Sequence, residues 1–371
     1  MAPEPGGLES GICADTALVI LNWNGAAFLR RFLPGVLAAA EGARVIVADN
    51  ASTDDSLALL AQEFPAVETL VFTDNLGFCE GYNQALARLQ GRFRYYVLLN
   101  SDVEVAPGWL PPLRALLEAN PRIAAAQPKI LAHADPTYFE YAGAGGGYLD
   151  RLGYPFCRGR LFDTLEKNFG QYDDARPVAW ASGACLLVRA DAWHALGGLE
   201  PEFFAHMEEI DFCWRLWNAG HEVWYGGGGS AVRHVGGGTL PKTNPRKTYL
   251  NFRNGLALLY KNAAPDELYG PLLQRLLLDG VAGLRFLAGG EFGNFWAVLR
   301  AHLSFYGRLG YWQEQRRTAR PHLRVTERPG VYQGSVVWAY FGRGQRTFPE
   351  LNQGRFHSAT QFEGDVPTPA L

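Results

Sequence analysis

Short apolar runs alternate with helix-spaced apolar positions through the first third of the chain, the pattern of a parallel sheet wound by helices on both faces. Residues 17–21 read as a first buried strand and 22–25 as the turn after it. Phe28, Leu29, Phe32, Leu33, Val36 and Leu37 then recur at helical spacing. Residues 45–48 predict a second strand, behind which Ser52 and Asp55 read as a capping box opening a helix with Leu57, Leu60, Ala61 and Phe64 inward. A third strand is predicted over 69–72, a helix near 79–89 and a fully apolar fourth strand over 95–99. Trp109, Leu110, Leu113, Leu116 and Leu117 mark the next helix. Residues 132–177 loosen into a Gly-rich stretch that reads as a hairpin or a mobile loop over a site, 240–320 as amphipathic helices, and 331–371 as a partly structured tail.

In such sheets ligands collect beyond the carboxyl ends of the strands. The residues falling there are 22–25, 49–54, 74–77 and 100–104, all polar where the strands feeding them are apolar. Composition allows this architecture: 48% hydrophobic and 19% charged residues in 371 support a buried core and exclude general disorder. No run of 18 apolar residues occurs, and LLLDGVAGLRFLAGG is interrupted by Asp279 and Arg285, so no membrane span is expected. The opening MAPEPGGLESG has Glu4, Glu9 and no apolar stretch, so a signal peptide is not expected. Five scattered cysteines without a CxxC pair fit reduced thiols and a cytoplasmic setting.

Charge changes the picture in one place. Residues 240–330 hold fourteen Lys/Arg against six Asp/Glu, so this segment is +8 in a chain whose total is −3. It reads either as a solvated helix face or as a surface for an anionic partner, a lipid surface or a phosphorylated acceptor and not a nucleic acid.

Four groups carry candidate chemistry. Asp102, in Asn100-Ser101-Asp102 after the strand YYVLL, is placed to hold Mg²⁺ or Mn²⁺ against a diphosphate, or else to cap a turn. Asp49, ending the second strand, suits a nucleobase N–H or a ribose hydroxyl, or an Asx turn. Glu208, Glu209 and Asp211 form the densest acidic cluster, amid Phe203, Phe204, Phe212, Trp214 and Trp217. Crowding beside aromatics would raise a carboxyl pKa toward that of a general base, while a helix N-terminus explains acids there equally well. His234 is a metal ligand or a surface histidine.

Together these segments resemble the family 2 glycosyltransferases. NWNG after the first strand, DNASTDDS, DNLGFCEGYNQAL, LLNSDVEVAPGWL, WASGACLLVRADAWHALGGLEPEFFAHMEEIDFCWR and AVRHVGGGT are similar, in order, to that family's elements over residues 16–260. The resemblance implies a GT-A fold, a Rossmann-like, mostly parallel doubly wound α/β sheet. The catalytic domain would span 15–240, with a donor half at 15–131 and an acceptor half at 132–240. It would lie between a flexible tail at 1–14 and a basic helical extension at 241–330, with a further tail at 331–371. It also implies an inverting, metal-dependent hexosyl transfer from a nucleoside-diphosphate sugar, with Mg²⁺ or Mn²⁺ as cofactor.

By position, the donor would meet Asn22, Asn24, Asp49, Asn50, Ser52, Asn75, Gly77, Asn83 and Asn100; the metal Asp102 and His234; and the acceptor Trp180, Gly183 and Ala184. The base would be Glu209, flanked by Glu208 and Asp211. Asn100 stands where the family usually has the first Asp of D-x-D, and Glu209 where it usually has Asp. TYLNFRNGLALLYKN and the basic helices after it resemble rhamnosyltransferase-like members, which implies a dTDP- or UDP-sugar donor and a growing, lipid-linked surface glycan as acceptor. The protein would then sit peripherally on the inner face of the cell membrane. The competing reading is a catalytically decayed nucleotide- or glycan-binding protein on the same scaffold. A nucleotidyltransferase or an NAD-dependent oxidoreductase is disfavoured, because NWNGAA offers neither a basic Gly-rich loop nor G-x-G-x-x-G.

Overall fold

The computed structural model describes residues 12–236, 244–318, 324–357 and 361–363. Strands β1 (Thr16–Asn22), β2 (Arg44–Asp49) and β4 (Tyr95–Asn100) are buried nearly throughout, as apolar runs must be when helices cover both sheet faces. With β3 (Glu68–Val71) they form a parallel set in the order β3-β2-β1-β4. Helix α1 (Ala26–Ala38) lays Leu29, Phe32, Leu33 and Val36 on this set; α2 (Ser56–Glu63) and α3 (Gly77–Ala87) follow β2 and β3. The expected capping box does not form. Asp55 holds the N-cap position of α2 without a side-chain bond, and the Ser52 hydroxyl is engaged elsewhere.

Beyond β4 the chain makes a short β5 (Val103–Val105), helix α4 (Leu110–Ala119) and β6 (Ile123–Ala132). The Gly-rich stretch then folds as a small sheet of β7 (Gly147–Asp150), β8 (Pro155–Cys157), β9 (Arg160–Leu161) and β10 (Thr164–Leu165). β11 (Ala175–Pro177), β12 (Cys185–Arg189) and β13 (Glu222–His234) return to the main sheet, separated by α5 (Ala190–Ala195) and α6 (Glu208–Asn218). β12 lies antiparallel between β4 and β6, so the sheet is mixed.

β13 carries a break that matters for the site. Its register on β6 jumps between Gly226 and Ala231, and a Cβ at Gly227 would overlap the Tyr172 carbonyl. The glycines let the strand bulge and resume, so its last residues pair with β5 and set His234 opposite Val103, next to Asp102.

Helices α7 (Pro245–Asn262), α8 (Tyr269–Ala288), α9 (Phe292–Gly307) and α10 (Leu309–Thr318) follow. β14 (Arg324–Glu327) pairs with β16 (Gln361–Glu363), and between them β15 (Val331–Tyr332) joins β7 in parallel. Tyr332, Phe348 and Phe356 cluster with Tyr148 and Phe156, so residues expected as a tail contribute to the core over the small sheet. All five cysteines are buried and unbridged, and no described helix is long and apolar enough to cross a membrane.

Candidate active site

Three turns meet at the carboxyl ends of β1, β2 and β3. Asn22 is fully buried, and its Nδ2 donates to Asp49 Oδ2 at 2.9 Å and to the Ser52 hydroxyl at 3.2 Å. Asp49 Oδ1 accepts the Ser52 N–H, so both of its carboxylate oxygens are spent inside the protein. The Ser52 hydroxyl also accepts the Asn24 N–H at 2.9 Å, and Asn24 Oδ1 accepts from Thr53 N at 2.7 Å. Asn24 adopts a left-handed backbone (φ 51), which asparagine tolerates better than most residues. Asp54 caps the start of α1 through Ala26 N; the burial penalty on its carboxyl is outweighed by the Ser56 side chain and by the backbone donors of Ala26 and Ser56, which hold it below the usual range. Asn50 ties in the third turn: its Nδ2 donates to Asn75 Oδ1 and the Gly77 carbonyl, and its Oδ1 accepts from Leu76 N.

Asn83 does not join this group. Its amide exchanges both bonds with the backbone of Leu199, each at 2.8 Å, and so pins the chain leading to α6. Asp49 likewise braces turns in this conformation, because no part of it is exposed.

At the end of β4, Asp102 lies 3.2 Å from His234 Nε2, and Asn100 Nδ2 lies 3.4 Å from the same nitrogen. Glu140, absent from the sequence reading, stands 3.5 Å from His234 Nδ1 and is itself buried. Burial disfavours the imidazolium, but hydrogen bonds and charge from Asp102 and Glu140 outweigh it and raise the His234 pKa to about 10. Asp102 is held below its usual range, since His234 overcomes the cost of burial. Among the described residues no group of three His, Cys, Asp or Glu side chains makes a metal cage. A hard cation that displaces the proton of His234 would find Asp102 and the neutral imidazole as ligands and take the rest from phosphate and water, with Glu140 orienting the ring as outer-shell carboxylates do.

The acid cluster separates into two kinds. Asp211 is fully buried and accepts from Arg215 at 2.8 Å, Lys261 at 3.0 Å and Asn262 at 2.7 Å. Those cations hold its pKa down despite burial, so it is a structural anion joining α6 to α7 and not part of the reactive group. Glu208 and Glu209 each have a buried Oε2 without a hydrogen-bond partner. Burial raises both pKa values, with Glu208 further raised by the charge of Glu209; Glu209 is pushed up to about 7. Burial and the neighbouring charge thus both favour the neutral form of Glu208, while Glu209 is poised to gain or lose a proton near neutral pH.

The chain reaches this pair through a strained segment. Phe204, His206 and Met207 all have left-handed backbone (φ 63, 68 and 74). Asn254 of α7 holds them, its Nδ2 donating to the carbonyls of Phe203, Ala205 and His206, and Arg253 donates to Glu202 and Phe203. Sequence reasoning missed Arg253, Asn254, Lys261 and Asn262. The signal was present in NFRN and YKN, polar residues inside an otherwise apolar helix.

Gly183 joins the two sides. A Cβ there would lie 3.7 Å from Glu209 Cβ and 3.5 Å from the Phe78 ring, and the next residue, Ala184, accepts the Asn100 N–H at 3.0 Å. Trp180 is buried with its indole N–H on the Tyr148 carbonyl at 2.9 Å, which leaves it packed against Gly147 and away from solvent.

Family membership agrees with this geometry. The chain belongs to glycosyl transferase family 2, whose profile matches residues 17–161, and its mixed α/β sheet is the GT-A fold. Within the family it is rhamnosyltransferase-like. An N-acetylglucosaminyl-diphospho-decaprenol L-rhamnosyltransferase of Mycobacterium tuberculosis is 31% identical over 221 residues, covering 55% of this chain and 70% of that protein. The O-antigen biosynthesis protein RfbC of Myxococcus xanthus is 25% identical over 46% of this chain and 13% of its own length. A mannosyltransferase from Pyrobaculum calidifontis, solved in complex with GDP-Man and Mn²⁺, is 14% identical with a TM-score of 0.48, covering 82% of this chain and 84% of that one.

Proposed function

We propose that this glycosyltransferase moves a sugar, rhamnose from dTDP-rhamnose in the first instance, to a hydroxyl of a lipid-linked surface glycan, with inversion at the anomeric carbon. The observation that carries the reading is the adjacent pair of buried Glu208 and half-buried Glu209, each with an unpartnered Oε2, next to Gly183, whose neighbour Ala184 bonds Asn100 at the end of β4. The similarity to a decaprenol-linked rhamnosyltransferase supports the choice of donor and acceptor.

In this mechanism the turns braced by Asn22, Asp49, Ser52 and Asn50 receive the nucleoside. Asp102 and His234 would hold Mg²⁺ or Mn²⁺, which supplies charge stabilisation to the departing diphosphate. Glu209 takes the proton of the acceptor hydroxyl as that oxygen bonds to the anomeric carbon and the carbon–diphosphate oxygen bond breaks. Glu208, whose neutral form is favoured by burial, then adds no like charge beside its neighbour. Asn254 and Arg253 position the acid pair without touching substrate.

The test is release of nucleoside diphosphate from dTDP-, UDP- and GDP-sugars, with a lipid-linked acceptor analogue, with and without Mn²⁺ or Mg²⁺. Metal-dependent release from a dTDP- or UDP-sugar, lost in Asp102→Ala while the fold persists, is the expected result. Nucleotide binding without turnover under every condition would instead favour a decayed binding protein on this scaffold.

A further inference from the structure

Helix α8 is amphipathic in the inverted sense. Its buried residues are Arg275, Asp279 and Gly283, whereas Leu273, Leu277, Val281 and Leu284 are 61–65% exposed. Those four fall three or four residues apart and share one face. The inward polar groups face one another: Arg275 Nε donates to Asp279 Oδ1 at 3.2 Å, the Tyr154 hydroxyl donates to the same oxygen at 2.9 Å, the guanidinium lies 3.8 Å from the Tyr154 ring centroid, and His302 of α9 stands 3.3 Å from Asp279 Oδ2, which has no hydrogen-bond partner. Helix α9 extends the outer apolar face with Trp296 and Leu303, 60% and 71% exposed. A groove of about 440 Å³ runs between the two helices, lined by Leu277, Val281 and Leu284 from one and Val298 and Leu299 from the other. A soluble surface seldom leaves so continuous an apolar area uncovered.

We propose that the outer face of α8 and α9 lies in the interfacial plane of an anionic lipid bilayer. Charge favours this occupant. Asp279 is the one carboxylate in either helix and it is buried, while the exposed charged side chains are Arg285 and Arg300. A twofold contact between two copies would bring two net-cationic faces together, because the exposed Glu291 in the turn between the helices offsets only one of the two arginines. Tyr269, Tyr306 and Trp338 stand exposed as well, and amphipathic rings of this kind favour the headgroup level. Because no described helix is a membrane span, the helices lie flat and insert only their apolar side chains. The face is tied to the acid pair: Thr248 of α7 bonds Asn294 of α9 at 2.9 Å, and Asn254 of α7 holds the segment before Glu208. A lipid-linked hydroxyl at the bilayer surface would thus be met at a fixed height. The inference deepens the proposed work on a lipid-linked acceptor and rests on it for preferring a bilayer to a protein partner.

The experiment is co-sedimentation of the full chain with vesicles of phosphatidylcholine alone, or of equal parts phosphatidylcholine and phosphatidylglycerol, at low and high salt. The double variant Leu277→Ser/Leu284→Ser changes exposed side chains only, and its melting temperature and donor turnover on a soluble acceptor should match wild type. Wild type should pellet with the anionic vesicles and keep a measurable part of that binding at high salt, and the variant should partition at least about tenfold less. Equal pelleting of wild type and variant, or no pelleting of wild type, overturns the proposal. So does a wild-type dimer in solution that the variant converts to monomer. Vesicle binding and sugar transfer are read separately, so failure of one is distinguishable from failure of the other.

Discussion

The two sides of the site are built on opposite principles. Around Asn22, Asp49, Ser52 and Asn50, buried polar groups satisfy one another, and among the polar side-chain atoms of these four residues Asn22 Oδ1 is one without a partner. Around α6, three left-handed residues deliver two carboxyls whose Oε2 atoms have no partner at all. The first arrangement lowers the energy of the fold; the second raises it and is held in place by Asn254 and Arg253. A protein keeps buried, unsatisfied and strained groups together where their reactivity is used, and a satisfied network where shape must be kept.

Glu209→Gln should break this contrast most sharply. Removing a general base costs about 10²–10⁴-fold in turnover, and the amide keeps the shape. Wild-type activity should fall as pH drops through about 7, the value to which burial lifts this carboxyl, and that limb should be absent from the residual activity of the variant. Stability should move the other way. A carboxyl raised on folding from 4.5 to about 7 gives stability that is full below its unfolded pKa and is lost as pH climbs through about 7. The glutamine variant should therefore gain on wild type as pH rises from about 4.5 to about 7, and be more stable above that by up to about 3 kcal/mol. Urea titrations at pH 6 and pH 8 measure the difference; a variant less stable at both would mean that Glu209 has a partner in solution.

Asp211 sharpens the comparison, since it is three positions from Glu208 and of the opposite kind. Asp211→Ala strands Lys261 and Arg215 near a second buried acid, Glu200, and should cost about 3–5 kcal/mol of stability. The fraction that folds should keep the wild-type pH profile. A shifted profile at unchanged stability would make Asp211 part of the reactive group after all.

How much of this was legible follows the same divide. β1, β2 and β4 were readable because strands buried on both faces must be apolar throughout, and Asn100-Ser101-Asp102 was readable as polar residues at a strand end. The proximity of His234 to Asp102 depends on the bulge at 226–231 and the pairing of β13 with β5, long-range events that periodicity does not report, so the expectation of the two at one site rested on the family resemblance of AVRHVGGGT alone. Glu140 was invisible for that reason too, whereas Asn254 left a signal in NFRN, a polar run inside an apolar helix, that did not say what it holds. Asp211 was misjudged with its neighbours, because spacing reports a shared helix face but not the Lys261 that neutralises it from another helix. The core contributed by 331–357 was masked by a polar, turn-rich composition with widely spaced aromatics.

The mildest perturbation tests the satisfied side. The Ser52 hydroxyl accepts from Asn24 N and from Asn22 Nδ2 and so couples the turn after β2 to the turn after β1. Ser52→Ala leaves the Asn24 N–H without its acceptor and Asn22 Nδ2 with Asp49 alone, while keeping the Ser52 N–H bond to Asp49. The expected stability loss is about 1 kcal/mol, small beside the Asp211 change because the Asn24 N–H lies near solvent. If these turns receive the nucleoside, the loosened turn should raise donor KM several-fold with little change in kcat, since it binds ground and transition states alike. Restoring a hydroxyl with Ser52→Thr should recover most of the affinity. A fall in kcat at constant KM would move Ser52 from the binding side of the molecule to the reactive one.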